Sequence, residues 1–70
     1  MDHTFKDNKI AELRKEAGLS QRALARHLAT SQANISRWET GISEPSILEC
    51  WRMADFFNVS IDYLCGRTEF

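Results

Sequence analysis

LSQRALARHLATSQANISRWETGISEP, running from Leu19 to Pro45, decides the fold. Its apolar residues recur at helical rather than alternating spacing. Ser20 stands where an N-cap is needed for a helix that turns Leu24, Ala25 and Leu28 inward. Ser31 stands likewise before a second helix containing Ile35 and Trp38. Only Ala29 to Ser31 separate the two, which leaves room for a tight helix-to-helix corner. Small Ala25 falls where the helices approach most closely.

Working outward, the segment from Asp7 to Ala17 places Ile10, Leu13 and Ala17 on one helical face and stops at Gly18, a residue suited to a left-handed helix end. After Pro45, Ser46 and Glu49 have the Ser-x-x-Glu spacing of a capping box. The helix they open runs to about Phe57, with Ile47, Cys50, Trp51, Ala54 and Phe57 as its inward stripe. Ser60 caps a last short helix, pinned by Ile61 and Leu64 and ended by Gly66. The expected fold class is therefore all-α, a compact bundle of five helices. Residues 1–6 form an N-terminal arm, 7–66 the domain and 67–70 a C-terminal tail.

Seventy residues supply one hydrophobic core and no second. Ordering them costs roughly 100 kcal/mol at about 1.5 kcal/mol per residue, so the core needs nearly every apolar side chain. A catalytic pocket would compete with that core. No Ser, His, Asp or Cys constellation suggests an enzyme, and no cofactor is expected. Cys50 and Cys65 lack the close spacing of metal motifs, so no metal is expected, and Cys50 reads as a small apolar packing residue. With no signal-peptide-like or membrane-length apolar run, the chain reads as cytoplasmic with reduced thiols. The Trp38 and Trp51 pair reads as core rather than as a stacking platform.

The stretch from Leu19 to Pro45, followed by MADFFNVSIDYLCG (Met53 to Gly66), resembles the Cro and phage-repressor type of helix-turn-helix DNA-binding regulator. The resemblance covers Ile10 to Gly66. Its most specific elements are Gln21, the Ile35-Ser36-x-Trp38-Glu39-x-Gly41 run, Pro45 and the closing Val59-Ser60-x-Asp62-Tyr63-Leu64. It implies a lambda-repressor-like five-helix domain in which helices 2 and 3 form the helix-turn-helix. Base contacts are implied from helix 3, and a phosphate contact from Gln21. A structural ion pair is implied between Arg14 and Glu39. Many relatives have Gly at the corner where this chain has Ala29, and basic residues where it has Ile42, Ser43 and Glu44. An alanine held at positive φ there costs about 1 kcal/mol.

Geometry independently selects the outward face of helix 3. At about 100° per residue, setting Gln32 at zero puts Ser36 at about 40°, Ala33 at about 100° and Arg37 at about 140°. Ile35 and Trp38 fall on the opposite side, at about 300° and 240°. The candidate base-contacting residues are thus Gln32, Ala33, Ser36 and Arg37. Arg37 suits guanine O6 and N7, Gln32 suits adenine N6 and N7, and Ala33 a thymine methyl. The candidate phosphate contacts are Gln21, Arg22, Ser31 and Asn34, with Arg26 and His27 as weaker additions.

Residues 1–41 hold seven Lys and Arg against five acids, and residues 42–70 hold two against five. The net charge is −1 and the isoelectric point about 6.1, so general DNA affinity is expected to be poor. Specific affinity would then depend on two copies, and Leu48, Arg52, Phe56 and Tyr63, extended by the tail through Phe70, form the candidate homodimer patch. The expected function is a transcriptional repressor that binds a palindromic double-stranded operator as a homodimer, with no small-molecule effector. The alternative, from a different class, is a protein-interaction or antitoxin-like module whose helix-turn-helix needs a partner protein or no longer reads DNA. The acidic C-terminal part supports it.

Overall fold

The computed structural model describes residues 7–67. The expected arm over 1–6 and the tail beyond Arg67, including Phe70, lie outside these. Five helices follow one another: α1 (Ile10–Glu16), α2 (Gln21–His27), α3 (Gln32–Thr40), α4 (Ile47–Phe57) and α5 (Ile61–Leu64). No strand occurs among the described residues.

Four of the five helices start on serine. Ser20, Ser31, Ser46 and Ser60 accept hydrogen bonds from the backbone N–H groups of Ala23, Asn34, Glu49 and Tyr63, at 3.0 to 3.1 Å. Each satisfies one of the donors that a helix start leaves unpaired. Ser46 completes its capping box, since the Glu49 carboxylate accepts from its N–H at 2.8 Å. Helix α1 begins at Ile10 rather than near Asp7, because Asn8 bends the chain: its Oδ1 accepts from the Ile10 N–H at 2.9 Å. At the other end, Ala17 is exposed instead of inward. It lies one residue beyond the last helical residue, where the chain leaves the helix toward Gly18 at φ +73°, and Leu19 packs on the core in its place.

Ile10, Leu24, Ile35, Met53 and Leu64, one from each helix, are fully buried, and Leu13, Ala25, Trp38, Cys50 and Ala54 complete the core. Leu28, at the C-cap of α2, is only partly buried. The inward stripe of α4 differs from the expected one. Ile47 and Trp51 are 64% and 52% exposed, and Met53 is buried in their stead. Two overlapping stripes share Cys50, Ala54 and Phe57. The one completed by Met53 wins, because it turns that side chain onto the core while Ile47 and Trp51 rotate to its edge. Trp38 and Trp51 are therefore not a core pair.

The end of α5 closes onto the start of α1. The Lys9 N–H donates to the Leu64 carbonyl at 2.9 Å, and a Cβ on Gly66, at φ +80°, would lie 2.2 Å from the Asp7 carbonyl oxygen. The corner between α2 and α3 carries the one expected strain: Ala29 has φ +56°. Ala29→Gly should stabilise the domain by about 0.5–1 kcal/mol, the αL penalty of roughly 1–2 kcal/mol less the unfolded-chain entropy of roughly 0.4–1 kcal/mol. Urea unfolding measures it; an unchanged or lowered midpoint contradicts it.

Both cysteines are free thiols. Burial pushes the Cys50 thiol up to about 12 and raises Cys65 as well. Iodoacetamide at pH 8 should alkylate Cys50 in the folded chain roughly two to three orders of magnitude more slowly than in urea, following the thiolate fraction. Mass spectrometry of the two digests reads this, and equal rates would contradict it.

Candidate nucleic-acid interface

The site is organised from Arg14, in the middle of α1. Its guanidinium reaches α3, where Nε lies 2.5 Å from Glu39 Oε2 and Nη2 lies 3.3 Å from Oε1. Its Nη1 donates to the Leu19 carbonyl at 2.9 Å, just before α2. Gln21, the first residue of α2, donates from Nε2 to the same Glu39 Oε1 at 2.9 Å. Gln21 Oε1 in turn accepts from Gln32 Nε2, at the first turn of α3, at 3.3 Å. One carboxylate thus joins three helices, and a relay of two glutamines extends from it to the outward face of α3. The Arg14 and Glu39 side chains are 13% and 7% exposed, so the pair is largely out of water.

A second fixture holds the far end of α3. Asn8 donates from Nδ2 to the Trp38 carbonyl at 2.9 Å. Gly41 then ends the helix at φ +78°, and the Ile42 N–H returns to the Arg37 carbonyl at 3.0 Å. The helix is about 14 Å long at 1.5 Å per residue, a fit to a major groove about 12 Å wide.

The structure exposes Gln32, Ala33 and Arg37 together on α3 and leaves Ser36 half-buried beside them. Arg22 is exposed on α2 and Gln21 is half-buried. The Ser31 hydroxyl serves as the α3 cap, accepting from the Asn34 N–H. Asn34 donates from Nδ2 to Thr30 Oγ1 at 2.9 Å, and its Oδ1 receives Arg37 Nη1 at 3.4 Å. From Leu19 to Ser43 the only acid is Glu39, and Arg14 faces it. The remaining charges of this unit are Arg22, Arg26 and Arg37, all exposed and all positive.

The suggested dimer patch is divided. Leu48, Arg52 and Phe56 follow one another at four-residue spacing along α4, with Phe56 against the His27 ring at 5.0 Å. Tyr63 lies in a separate groove with Leu13, Phe57 and Val59. Sequence reasoning missed Asn8, Thr30 and the engagement of Gln21 with Gln32. Asn8 before an apolar helix carried a capping signal, but nothing local pointed thirty residues on to Trp38. Among the described residues, no group of His, Cys, Asp and Glu is placed to hold a metal, and no helix is long and apolar enough to cross a membrane.

Residues 10–64 match the helix-turn-helix family HTH_3, and the chain belongs to this family of Cro/C1-type regulators. It is 31% identical over 61 residues to the HTH-type transcriptional regulator ImmR of Bacillus subtilis, covering 87% of this chain and 48% of that protein. It is 35% identical over 63 residues to the HTH-type transcriptional activator BcrR of Enterococcus faecalis, covering 90% of this chain and 31% of that one. The chain thus spans half or less of these relatives' lengths. The P22 c2 repressor, solved with a synthetic operator, superposes with a TM-score of 0.78 at 28% identity, covering 87% of this chain and 92% of the repressor chain. The fold is the repressor-type five-helix domain, and the family consists of DNA-binding transcriptional regulators, not enzymes.

Removing one partner of a desolvated ion pair leaves the other uncompensated, at about 3–5 kcal/mol, whereas an exposed surface side chain costs within about 0.5 kcal/mol. Arg14→Ala should therefore strongly lower the melting temperature and Arg37→Ala should leave it unchanged. Equal melting temperatures in thermal denaturation would contradict the assignment of Arg14 to the scaffold.

Proposed function

We propose that the protein is a cytoplasmic transcriptional repressor that binds a palindromic operator as a homodimer, with α3 of each copy in the major groove. The observation that carries this is the outward face of α3. Gln32, Ala33 and Arg37 stand exposed on a helix held from behind by Glu39 and at its end by Asn8. Arg37 donates two parallel hydrogen bonds to guanine, Gln32 pairs with adenine, Ala33 meets a thymine methyl, and Ser36 completes the face. The P22 c2 repressor with its operator supports duplex DNA as the partner.

Phosphate contacts flank this face. The Ser31 hydroxyl accepts within the chain and keeps its own proton to donate, and Gln21 and Asn34 each keep a second amide proton beyond the bond already made. Arg22 supplies a charge from α2. A recognition helix alone makes few contacts, so two copies on half-sites about 34 Å apart supply the specificity. Bound across a promoter, the pair represses by occlusion.

The test uses the duplex that the protein itself selects from a random pool. Arg37→Ala should weaken binding to it by about 1–3 kcal/mol, roughly tenfold to a hundredfold, with the fold intact. Arg22→Ala should weaken selected and unselected duplexes alike and lower the salt slope by about one. Unchanged binding by Arg37→Ala would remove Arg37 from the reading face, and failure to select any duplex would transfer the case to a protein-interaction module.

A further inference from the structure

The two cysteines of the chain meet in the fold. Cys50 lies near the start of α4, and Cys65 is the residue that ends α5. Asn58, at φ +57°, reverses the chain between these helices, which pack on one another. Fifteen positions of sequence thereby become a direct contact, in which each thiol is the other's hydrogen-bonding partner. The Pro45 carbonyl is the other neighbour of Cys50 Sγ, at 4.0 Å, a contact loose enough to leave the thiol free to turn. Cys50 is part of the core, whereas Cys65 packs against that core and keeps access to solvent. The operator reading uses neither thiol.

We propose that Cys50 and Cys65 form an oxidation site, which a peroxide closes to an intramolecular disulfide tying the end of α5 to α4. Cys65 reacts first, because it is the more accessible thiol and because the hydrogen bond from Cys50 and the charge of Arg67 favour its thiolate, against Asp62 and Glu44. Its sulfur attacks one oxygen of hydrogen peroxide. An S–O bond forms, the O–O bond breaks, and the departing hydroxide takes up a proton as water. Cys65 is now a sulfenic acid, oxidised by the two electrons that reduced the peroxide. The Cys50 sulfur, already in contact, gives up its proton and attacks the Cys65 sulfur. The S–S bond forms as the S–O bond breaks, and the second hydroxide leaves with that proton as a second water. Two thiols and one peroxide thus become one disulfide and two waters, and a dithiol reductant reverses the change.

The surroundings set the pace and the consequence. Burial raises both thiols, so little thiolate is present at neutral pH. Closure therefore takes roughly minutes to hours and answers sustained oxidation rather than a passing pulse. Cys65 stands between Leu64, whose carbonyl accepts from the Lys9 N–H at 2.9 Å, and Gly66, which lies against the Asp7 carbonyl. The disulfide adds a covalent tie to the point where α5 closes onto α1. Cross-linking positions fifteen residues apart removes freedom from the unfolded chain, so the oxidised domain should melt roughly 10 °C above the reduced one.

The test exposes the reduced full chain, at low micromolar concentration, to millimolar hydrogen peroxide at neutral pH. The wild type should become a monomer about 2 Da lighter that iodoacetamide no longer alkylates in urea. Trypsin should then release the peptides Trp38–Arg52 and Met53–Arg67 joined, and dithiothreitol should separate them. Thermal denaturation should show the higher melting temperature of the oxidised chain, reversed by the same reductant. With the second thiol removed in Cys50→Ser, the Cys65 sulfenic acid should persist and be trapped by dimedone. Cys65→Ser should be oxidised at Cys50 at least about tenfold more slowly. The mass and melting readouts on the wild type decide the disulfide even where a variant folds poorly. Thiols still alkylatable after hours in oxidant, disulfide-linked dimers in place of the monomer, or an oxidised chain that melts no higher than the reduced one each overturn the proposal. Cys50 oxidised in Cys65→Ser as fast as Cys65 in Cys50→Ser overturns the order of attack.

Discussion

The Glu39 carboxylate lies where α1, α2 and α3 converge, and it is nearly out of water. A buried carboxylate is tolerable only when its oxygens are filled by donors. Here Arg14 supplies two and Gln21 a third, each from a different helix than the acid. That requirement fixes relative position. If α3 rotates or slides, the carboxylate loses donors it cannot replace from solvent, so the helix has one orientation that satisfies it. The same requirement keeps Glu39, the one acid between Leu19 and Ser43, neutralised by Arg14 rather than opposing a phosphate backbone.

Function follows from having the chemistry on the reverse side of that anchor. Ile35 and Trp38 commit one side of α3 to the core, which leaves Gln32, Ala33 and Arg37 to solvent by helical periodicity alone. The glutamine relay adds that Gln32 is already restrained through Gln21 before any ligand arrives. A restrained side chain loses less freedom on binding, which favours specific over merely electrostatic contact. With only three exposed cations on α2 and α3, Arg22, Arg26 and Arg37, the domain suits a partner whose sequence it reads more than one whose charge it neutralises.

What was legible in the sequence was local or periodic. The four serine caps are short-range signals, and all four open the helices they announce. Gly18 and Gly41 mark helix ends, and the positive φ of Ala29 was signalled by the family resemblance, since relatives often carry Gly at that corner. The outward face of α3 was legible because Ile35 and Trp38 admit a single phase. Helix α4 was not, because it carries apolar residues at Ile47, Cys50, Trp51, Met53, Ala54 and Phe57, which support two stripes. Only the placement of neighbouring helices chooses between them. The glutamine relay and the Asn8 bond span eleven to thirty positions, and no local pattern encodes such pairs. The Arg14 and Glu39 pairing came from family resemblance, and its geometry from the structure.

The central claim is that the outward face of α3 occupies a major groove. Dimethyl sulfate protection on the selected duplex tests it most directly, because guanine N7 is methylated from the major groove and adenine N3 from the minor. The expected result is guanine protection in two clusters about ten base pairs apart on one face of the duplex, with minor-groove adenines unaffected. Guanines fully reactive at saturating protein, or protection confined to minor-groove adenines, would contradict the account.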